Sequence, residues 1–381
     1  MPIALLGVIY LIFISLGLPD GLLGSAWPAI QADIDAPLEF GGLIATVVSL
    51  MNIVSSLLTT RLIKRLGLGR LLLYSILLTV VGLIGFSQAE SIEWLFMLAI
   101  PLGLGAGAID VAVNNYVANN YGSHHMNWLH AFWGIGAALG PIIFSTSLAA
   151  SGNWQDGYMT IGIVQLTIAL VVALSLPLWI NSRPTKTKRV KSVSYRKLLR
   201  KKSVRTSSIT FLLYSGAEAS VGLWLASYLV GAKQISIETA ALLAGVYFAS
   251  ITAGRILTGF ISLRMSAAVL IQAGVLTALA GVVLLYLGSD LSTLSTGVIL
   301  IGAGFAPIYP SLSHATPRRF SKKRSDKILG LQMASGFTGS LILPPTLGLA
   351  ISLTSPYTLP IAVATILICL LSTSQYIKNP D

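Results

Sequence analysis

The chain has 381 residues, of which 54% are hydrophobic and only 10% charged, with a formal net charge of +12 and a mean hydropathy of +0.80. Soluble domains carry roughly 25% charged residues, so the composition excludes a soluble enzyme and points to a polytopic membrane protein. The positive charge alone would admit a nucleic-acid partner, but the basic residues fall between apolar runs, as membrane-topology signals do, and that argues against one.

A spanning helix needs about 20 predominantly apolar residues. Twelve such runs follow one another, centred near residues 16, 50, 79, 104, 139, 169, 219, 250, 277, 302, 340 and 366. None shows the two-residue alternation of a membrane barrel, so the expected fold class is an all-α membrane protein with twelve transmembrane helices in two pseudo-symmetric six-helix bundles. The first run lacks a basic start and a small-residue cleavage site and continues past Asp20 to about Ile30. It therefore reads as the first helix rather than a secretory signal. The last run contains the single cysteine, Cys369, which has no internal disulfide partner.

Assigning the segments between runs alternately to two sides separates the charges. One side collects Arg61, Lys64, Arg65, Arg70, eleven Lys/Arg from Arg183 to Arg205, Arg264, the cluster from Arg318 to Lys327, and Lys378. The other has Lys233 alone among the bases, but holds Asp33, Asp35, Glu39, Glu90, Glu93, Asp156, Glu238 and Asp290. By the positive-inside rule the first side is cytoplasmic. The expectation is a multi-pass protein of the plasma (inner) membrane with both termini in the cytoplasm, its basic loops touching anionic lipid.

The longest polar segment divides the chain into an N-terminal bundle (1–180), a basic cytoplasmic linker (181–206) and a C-terminal bundle (207–381). The halves echo each other. Gly17-Leu18-Pro19-Asp20, Gly24 and Trp27 are answered by Gly216-Ala217-Glu218, Gly222 and Trp224. Gly105-Ala106-Gly107 is answered by Gly302-Ala303-Gly304, and His130 before Gly134 by Gln332 before Gly336. The paired features lie 198, 197 and 202 residues apart. A common order and offset indicate duplication, and a six-plus-six duplication with the path between the halves is a recognised transporter plan.

Residues 60–70, Thr-Arg-Leu-Ile-Lys-Arg-Leu-Gly-Leu-Gly-Arg, resemble the signature between helices 2 and 3 of the major facilitator superfamily, with Thr60 in place of the leading Gly and Lys64 in place of the Asp. Gly134-Ile-Gly-Ala-Ala-Leu-Gly140-Pro141 is similar to that superfamily's helix 5 Gly-Pro signature. More narrowly, Asp110-Val-Ala-Val-Asn114-Asn115-Tyr116 resembles the helix 4 motif of the fucose-permease branch, with Asp110 at a Glu position and Asn115 at a Pro. His130-Ala-Phe132-Trp133-Gly134 is similar to its helix 5 Gln-Ser-Phe-Asn-Gly, and Tyr214-Ser-Gly-Ala-Glu218 to its helix 7 Tyr-x-Gly-Ala-Glu. The resemblance implies a sugar:proton symporter.

Three acids stand inside apolar runs: Asp20, Asp110 and Glu218. A charge at bilayer depth costs at least about 2.5 kcal/mol, so each should face the bundle interior and is a functional-site hypothesis by default. Burial disfavours the charged form of a carboxyl, which lets such a group load a proton on one side and release it on the other. The competing reading is a structural carboxyl bonded to a neighbouring helix. Asn114 lies one turn from Asp110 on the same face and can orient it, bind a hydroxylated ligand, or act as packing glue, as can Asn52. Trp27, Trp133 and Trp224 offer rings to the C–H face of a sugar; Trp94, Trp154 and Trp179 read as interfacial belt. His130 and Gln332 are polar ligand contacts or packing residues. Arg255 either snorkels or pairs with a buried carboxylate as its counter-ion. His124 and His125 lack nearby Cys or acid, so a metal is not expected. Gly103-Leu-Gly105-Ala-Gly107 has no strand before it, as a dinucleotide loop requires, and reads as close helix packing.

Neither a phosphate-binding loop nor a polar catalytic domain is visible. The expected function is therefore secondary transport by alternating access, and the family resemblance implies that it is proton-coupled and carries a sugar or similar small polar solute. A proton-antiport exporter of drugs or amphiphiles, a transporter-like sensor and a lipid flippase are the competing classes. The partners expected are the solute, protons and membrane lipids, with no cofactor and the chain acting as a monomer.

Overall fold

The computed structural model describes residues 3–179, 198–320 and 322–375, and everything below concerns these residues. In chain order the helices are α1 (Ile3–Gly17), α2 (Leu22–Asp33), α3 (Phe40–Leu66), α4 (Leu68–Phe86), α5 (Ile92–Asn120), α6 (Ser123–Ser151) and α7 (Trp154–Leu174). After a short 3-10 turn at Leu176–Trp179 come α8 (Lys202–Lys233), α9 (Ile237–Ile261), α10 (Ala267–Leu287), α11 (Leu291–Phe305), α12 (Ile308–Arg319), α13 (Lys322–Leu353) and α14 (Thr358–Gln375). Eleven stretches are long and apolar enough to span a bilayer, and a shorter apolar helix covers Thr358–Thr373. Each of the twelve expected centres falls on one of them. Large apolar side chains such as Leu57, Leu174 and Leu263 are exposed, as a lipid-facing surface requires.

Two spans are interrupted where the hydropathy runs are continuous. The first, Ala4–Asp33, breaks between α1 and α2. Pro19 has no N–H to donate, so the chain turns through three-residue steps, Asp20 N–H to the Gly17 carbonyl (3.0 Å) and Leu22 N–H to that of Pro19 (3.1 Å). The other breaks at Ala306–Pro307, between α11 and α12.

The chain forms two compact units, Met1–Thr187 with Ile235–Gly245, and Lys188–Gln234 with Val246–Asp381. In the first, a Cβ at Gly17 would strike the Trp133 carbonyl, one at Gly136 that of Ile14, and one at Gly140 that of Leu18. Backbones of α1 and α6 thus touch, which only residues without side chains permit. In the second unit Gly216 and Gly339 play the same part for α8 and α13, with Gly339 against the Leu212 carbonyl. The echoed Gly-Ala-Gly segments each seat their helix on two neighbours, with the order of the two contacts reversed between the halves. In α5, Gly107 meets the Asn52 carbonyl of α3 and Gly105 the Ser75 carbonyl of α4. In α11, Gly302 meets the Tyr247 carbonyl of α9 and Gly304 the Gly274 carbonyl of α10. Inside the first unit, buried Gln165 of α7 donates to the Ser15 carbonyl and to Thr79 Oγ1, both at 3.0 Å, tying α1 and α4 together.

Residues 181–197 of the expected linker, and Lys378, lie outside the described residues. The linker's far end is structured: α8 starts at Lys202, and Leu198 and Val204 pack with Ile328, Phe320 and Leu331. Two belt assignments are corrected. Trp154 is 3% exposed and donates to Asp33 Oδ2 (2.8 Å), and Trp179 is 4% exposed and donates to Ser175 Oγ (3.1 Å). Both rings pack inside the protein because each N–H finds an internal acceptor, whereas Trp94 is exposed.

Candidate functional site

The break between α1 and α2 decides where Asp20 sits. Instead of riding on a continuous helix, it projects from the turn, and its Oδ2 accepts the Trp133 indole N–H of α6 at 2.6 Å. Gly17, Gly136 and Gly140 make this reach short, since they bring the two backbones together beside the bond. Asp20 remains accessible to solvent although protein atoms crowd around it.

Asp110 stands four residues past the midpoint of the 29-residue α5 and lies within electrostatic range of Asp20. Its Oδ1 accepts from Asn114 Nδ2 at 2.7 Å, and that nitrogen also reaches the Asp110 carbonyl at 2.9 Å. The amide is therefore folded back along its own helix to hold the acid. Among the described residues, neither Asp20 nor Asp110 has an ion pair with a basic side chain. Two carboxylates thus share one region of the unit with neutral donors only. On the next turn of α6 from Trp133, His130 is exposed and meets the ring of buried Phe13 edge-on at 5.9 Å.

Other expected residues lie apart from this group. Trp27 is wholly buried, donates to the Leu38 carbonyl at 3.0 Å and packs its ring on Gly41. Asn52 sits at the crossing of α3 and α5, where Ser56 Oγ bridges its Oδ1 (3.4 Å) and the Gly107 carbonyl (3.2 Å). In these positions the ring and the amide join helices.

In the second unit Glu218, midway along α8, forms an ion pair with Arg255 of α9: Oε1 to Nη2 is 2.9 Å, with side-chain exposures of 16% and 26%. Arg255 does not snorkel; the opposite charge one helix away is nearer than the helix end. Tyr247, two turns before Arg255, donates its hydroxyl to the Glu218 carbonyl at 3.1 Å. Tyr214, one turn before Glu218, is buried beside both charges and packs against Phe305 and Tyr309. Trp224 is wholly buried, with its N–H on the Pro344 carbonyl at 2.8 Å. Gln332 is 2% exposed and accepts from Thr316 Oγ1 at 2.8 Å.

Sequence reasoning passed over Tyr214 and Tyr247 as site residues. Their signal was helical register, at four and eight residues from a buried charge. It also passed over the pair Tyr10 and His125, whose hydroxyl and Nδ1 are 2.7 Å apart.

Long apolar helices bearing internal carboxylates, with backbones in contact at repeated glycines, define a multi-pass membrane protein of the solute-transporter class. The family model of the Major Facilitator Superfamily matches residues 9–344, and the chain belongs to that superfamily. It is a transporter of small-molecule solutes, not an enzyme. It is similar to the "Uncharacterized transporter y4wD" of Sinorhizobium fredii (strain NBRC 101917 / NGR234), 23% identical over 300 residues, covering 76% of this chain and 78% of that protein. Among solved structures it resembles a mutant of the nucleoside transporter NupG, with a TM-score of 0.79 at 13% identity and 99% of both chains covered. It also resembles a bacterial homologue of the human lysosomal transporter Spinster, inward-facing and occupied, with a TM-score of 0.70 at 15% identity, covering 99% of this chain and 95% of that one.

Proposed function

We propose that the protein is a proton-coupled importer of a sugar or similar small polar solute, resident in the plasma membrane with both termini in the cytoplasm. The observation that carries this reading is the Asp20–Trp133 bond of 2.6 Å, with Asp110 within electrostatic range of Asp20. Two carboxylates that have no basic partner among the described residues repel when both are charged, and a single proton removes that repulsion. Proton loading therefore changes the local energy in a way that a paired acid could not. Trp133, held by the same bond, presents an amphipathic ring, and Asn114 and His130 add polar groups on α5 and α6. In this assignment Asp20 and Asp110 couple the proton, while Trp133, Asn114 and His130 contact the solute. Trp27, Trp224, Gln332 and Asn52 serve packing.

The test is counterflow and pH-driven uptake in proteoliposomes over a panel of monosaccharides and nucleosides. Asp110→Asn should abolish accumulation driven by a pH gradient while retaining solute exchange. Wild-type accumulation in that variant would remove Asp110 from coupling. Extrusion of amphiphilic dyes without sugar flux would replace the importer by an exporter.

A further inference from the structure

Proton coupling through Asp20 and Asp110 makes no use of the Glu218–Arg255 pair, the ion pair that joins α8 and α9 among the described residues. We propose that Arg255 anchors an anionic group of the solute, a carboxylate whose place the Glu218 side chain holds in this structure. The solute class narrows accordingly, from small polar solutes to acidic sugars and comparable hydroxy-carboxylates. This rests on the reading of the chain as an importer of such solutes.

Three observations support it. An internal ion pair is a weak source of stability, since two apolar side chains of similar volume often do as well, so a pair between two membrane helices calls for a role beyond bracing. Both partners keep part of their side-chain surface open, 26% and 16%, so a solute group can reach the pair. The guanidinium is also the side chain whose planar fork suits a carboxylate, and an incoming carboxylate presents the same two oxygens as Glu218.

The surroundings keep the anchor in place. Tyr247 fixes the Glu218 backbone carbonyl (3.1 Å), and the Tyr214 phenol adjoins both charges. When a solute carboxylate takes the guanidinium, Glu218 is left negative beside a second negative charge. The two carboxylates then compete for one guanidinium, so solute binding displaces Glu218 from Arg255. Among the described residues, Tyr214 on α8 and Arg255 and Tyr247 on α9 face Glu218, with Tyr309 of α12 behind Tyr214.

Matched acid and neutral pairs test this in proteoliposomes: glucuronate against glucose, galacturonate against galactose, gluconate against sorbitol. The full-length chain should favour an acid member over its neutral partner by about tenfold or more in counterflow, which is about 1.4 kcal/mol. Glu218→Gln should tighten that acid, because the carboxylate that competes for Arg255 is gone. The charge swap Glu218→Arg with Arg255→Glu restores a brace, so it should fold with wild-type thermal stability yet lose the acid preference. Wild-type acid transport by the swapped protein would overturn the anchor. So would flux of neutral sugars with no acid preference, which leaves the importer reading standing. No flux of any panel member removes both.

Discussion

Three acids in apolar runs meet three different fates, and the partners decide which. Asp20 receives an indole N–H, Asp110 its own helix's amide, and Glu218 a guanidinium. The acids were conspicuous in the sequence because a charge in an apolar run has few innocent explanations. Asn114, one turn from Asp110 on the same face, was legible as its partner; the other two partners were not: Trp133 is 113 residues from Asp20, and the choice for Arg255 between snorkelling and pairing turns on the register of α8 against α9. The Trp133 bond can be separated from the Trp133 ring. Trp133→Phe retains a face for stacking and removes the N–H, a loss of about 1.5–3 kcal/mol for a bond to a charged group. It should shift the pH profile of uptake and leave the solute KM within about threefold, because the ring remains. Trp133→Ala should raise KM by about five- to tenfold, from the loss of a stacking face worth roughly 1–1.5 kcal/mol. Identical kinetics for the two variants would mean that the ring contacts no solute.

At the level of elements, the twelve spans were legible and the two breaks were not. A hydropathy window registers composition, and the composition of residues 3–33 is continuous. The break depends on where backbone hydrogen bonds can close. Pro101 and Pro141 lie inside unbroken helices, so proline alone does not decide; at Pro19 the neighbouring Gly17 and Gly21 leave the chain free to turn. The α1–α6 contact that supports this turn is testable. Gly136→Ala places a Cβ against the Ile14 carbonyl, and overpacking of this kind costs about 1–3 kcal/mol. Gly7, on the same helix as Ile14, has nothing within 4 Å of such a Cβ. Thermal unfolding in detergent should therefore show Gly136→Ala clearly destabilised and Gly7→Ala unchanged; equal stability of the two would deny the close crossing. Outside the membrane, Asp290 caps α11 by accepting from Thr293 N–H (2.9 Å) and Thr293 Oγ1 (2.6 Å), which holds its carboxyl below the usual range. A lowered folded-state value means that the cap is at full strength above the ordinary aspartate pKa of about 3.9. Its contribution fades as pH falls through the lower, folded value. Hydrogen exchange at Thr293 should accelerate in Asp290→Ala at neutral pH; unaltered exchange would show that the cap is idle.

For the whole molecule, duplication is the feature that sequence and structure express in different terms. The sequence displayed it as a shared order of short echoes. The structure explains why those echoes are glycines: Gly105 and Gly107 seat α5 on α4 and α3 as Gly304 and Gly302 seat α11 on α10 and α9. The substrate stayed illegible because a solute is read by side chains from several helices, and their spacing along the chain carries no record of that convergence. Orientation in the membrane, by contrast, follows from charge. Arg61, Lys64, Arg65 and Arg70 surround the α3–α4 connection, while Glu90 and Glu93 flank the α4–α5 connection. Basic residues resist translocation and acids do so weakly, so the proposed orientation puts the first connection in the cytoplasm and the second outside. Replacing Cys369, the one native cysteine, by serine gives a clean background for labelling. A cysteine at Lys64 should then react with an impermeant maleimide in inside-out vesicles and not in intact cells, and a cysteine at Glu90 should do the reverse. Labelling of both from the same face would mean that α4, the one span between them, does not cross the bilayer.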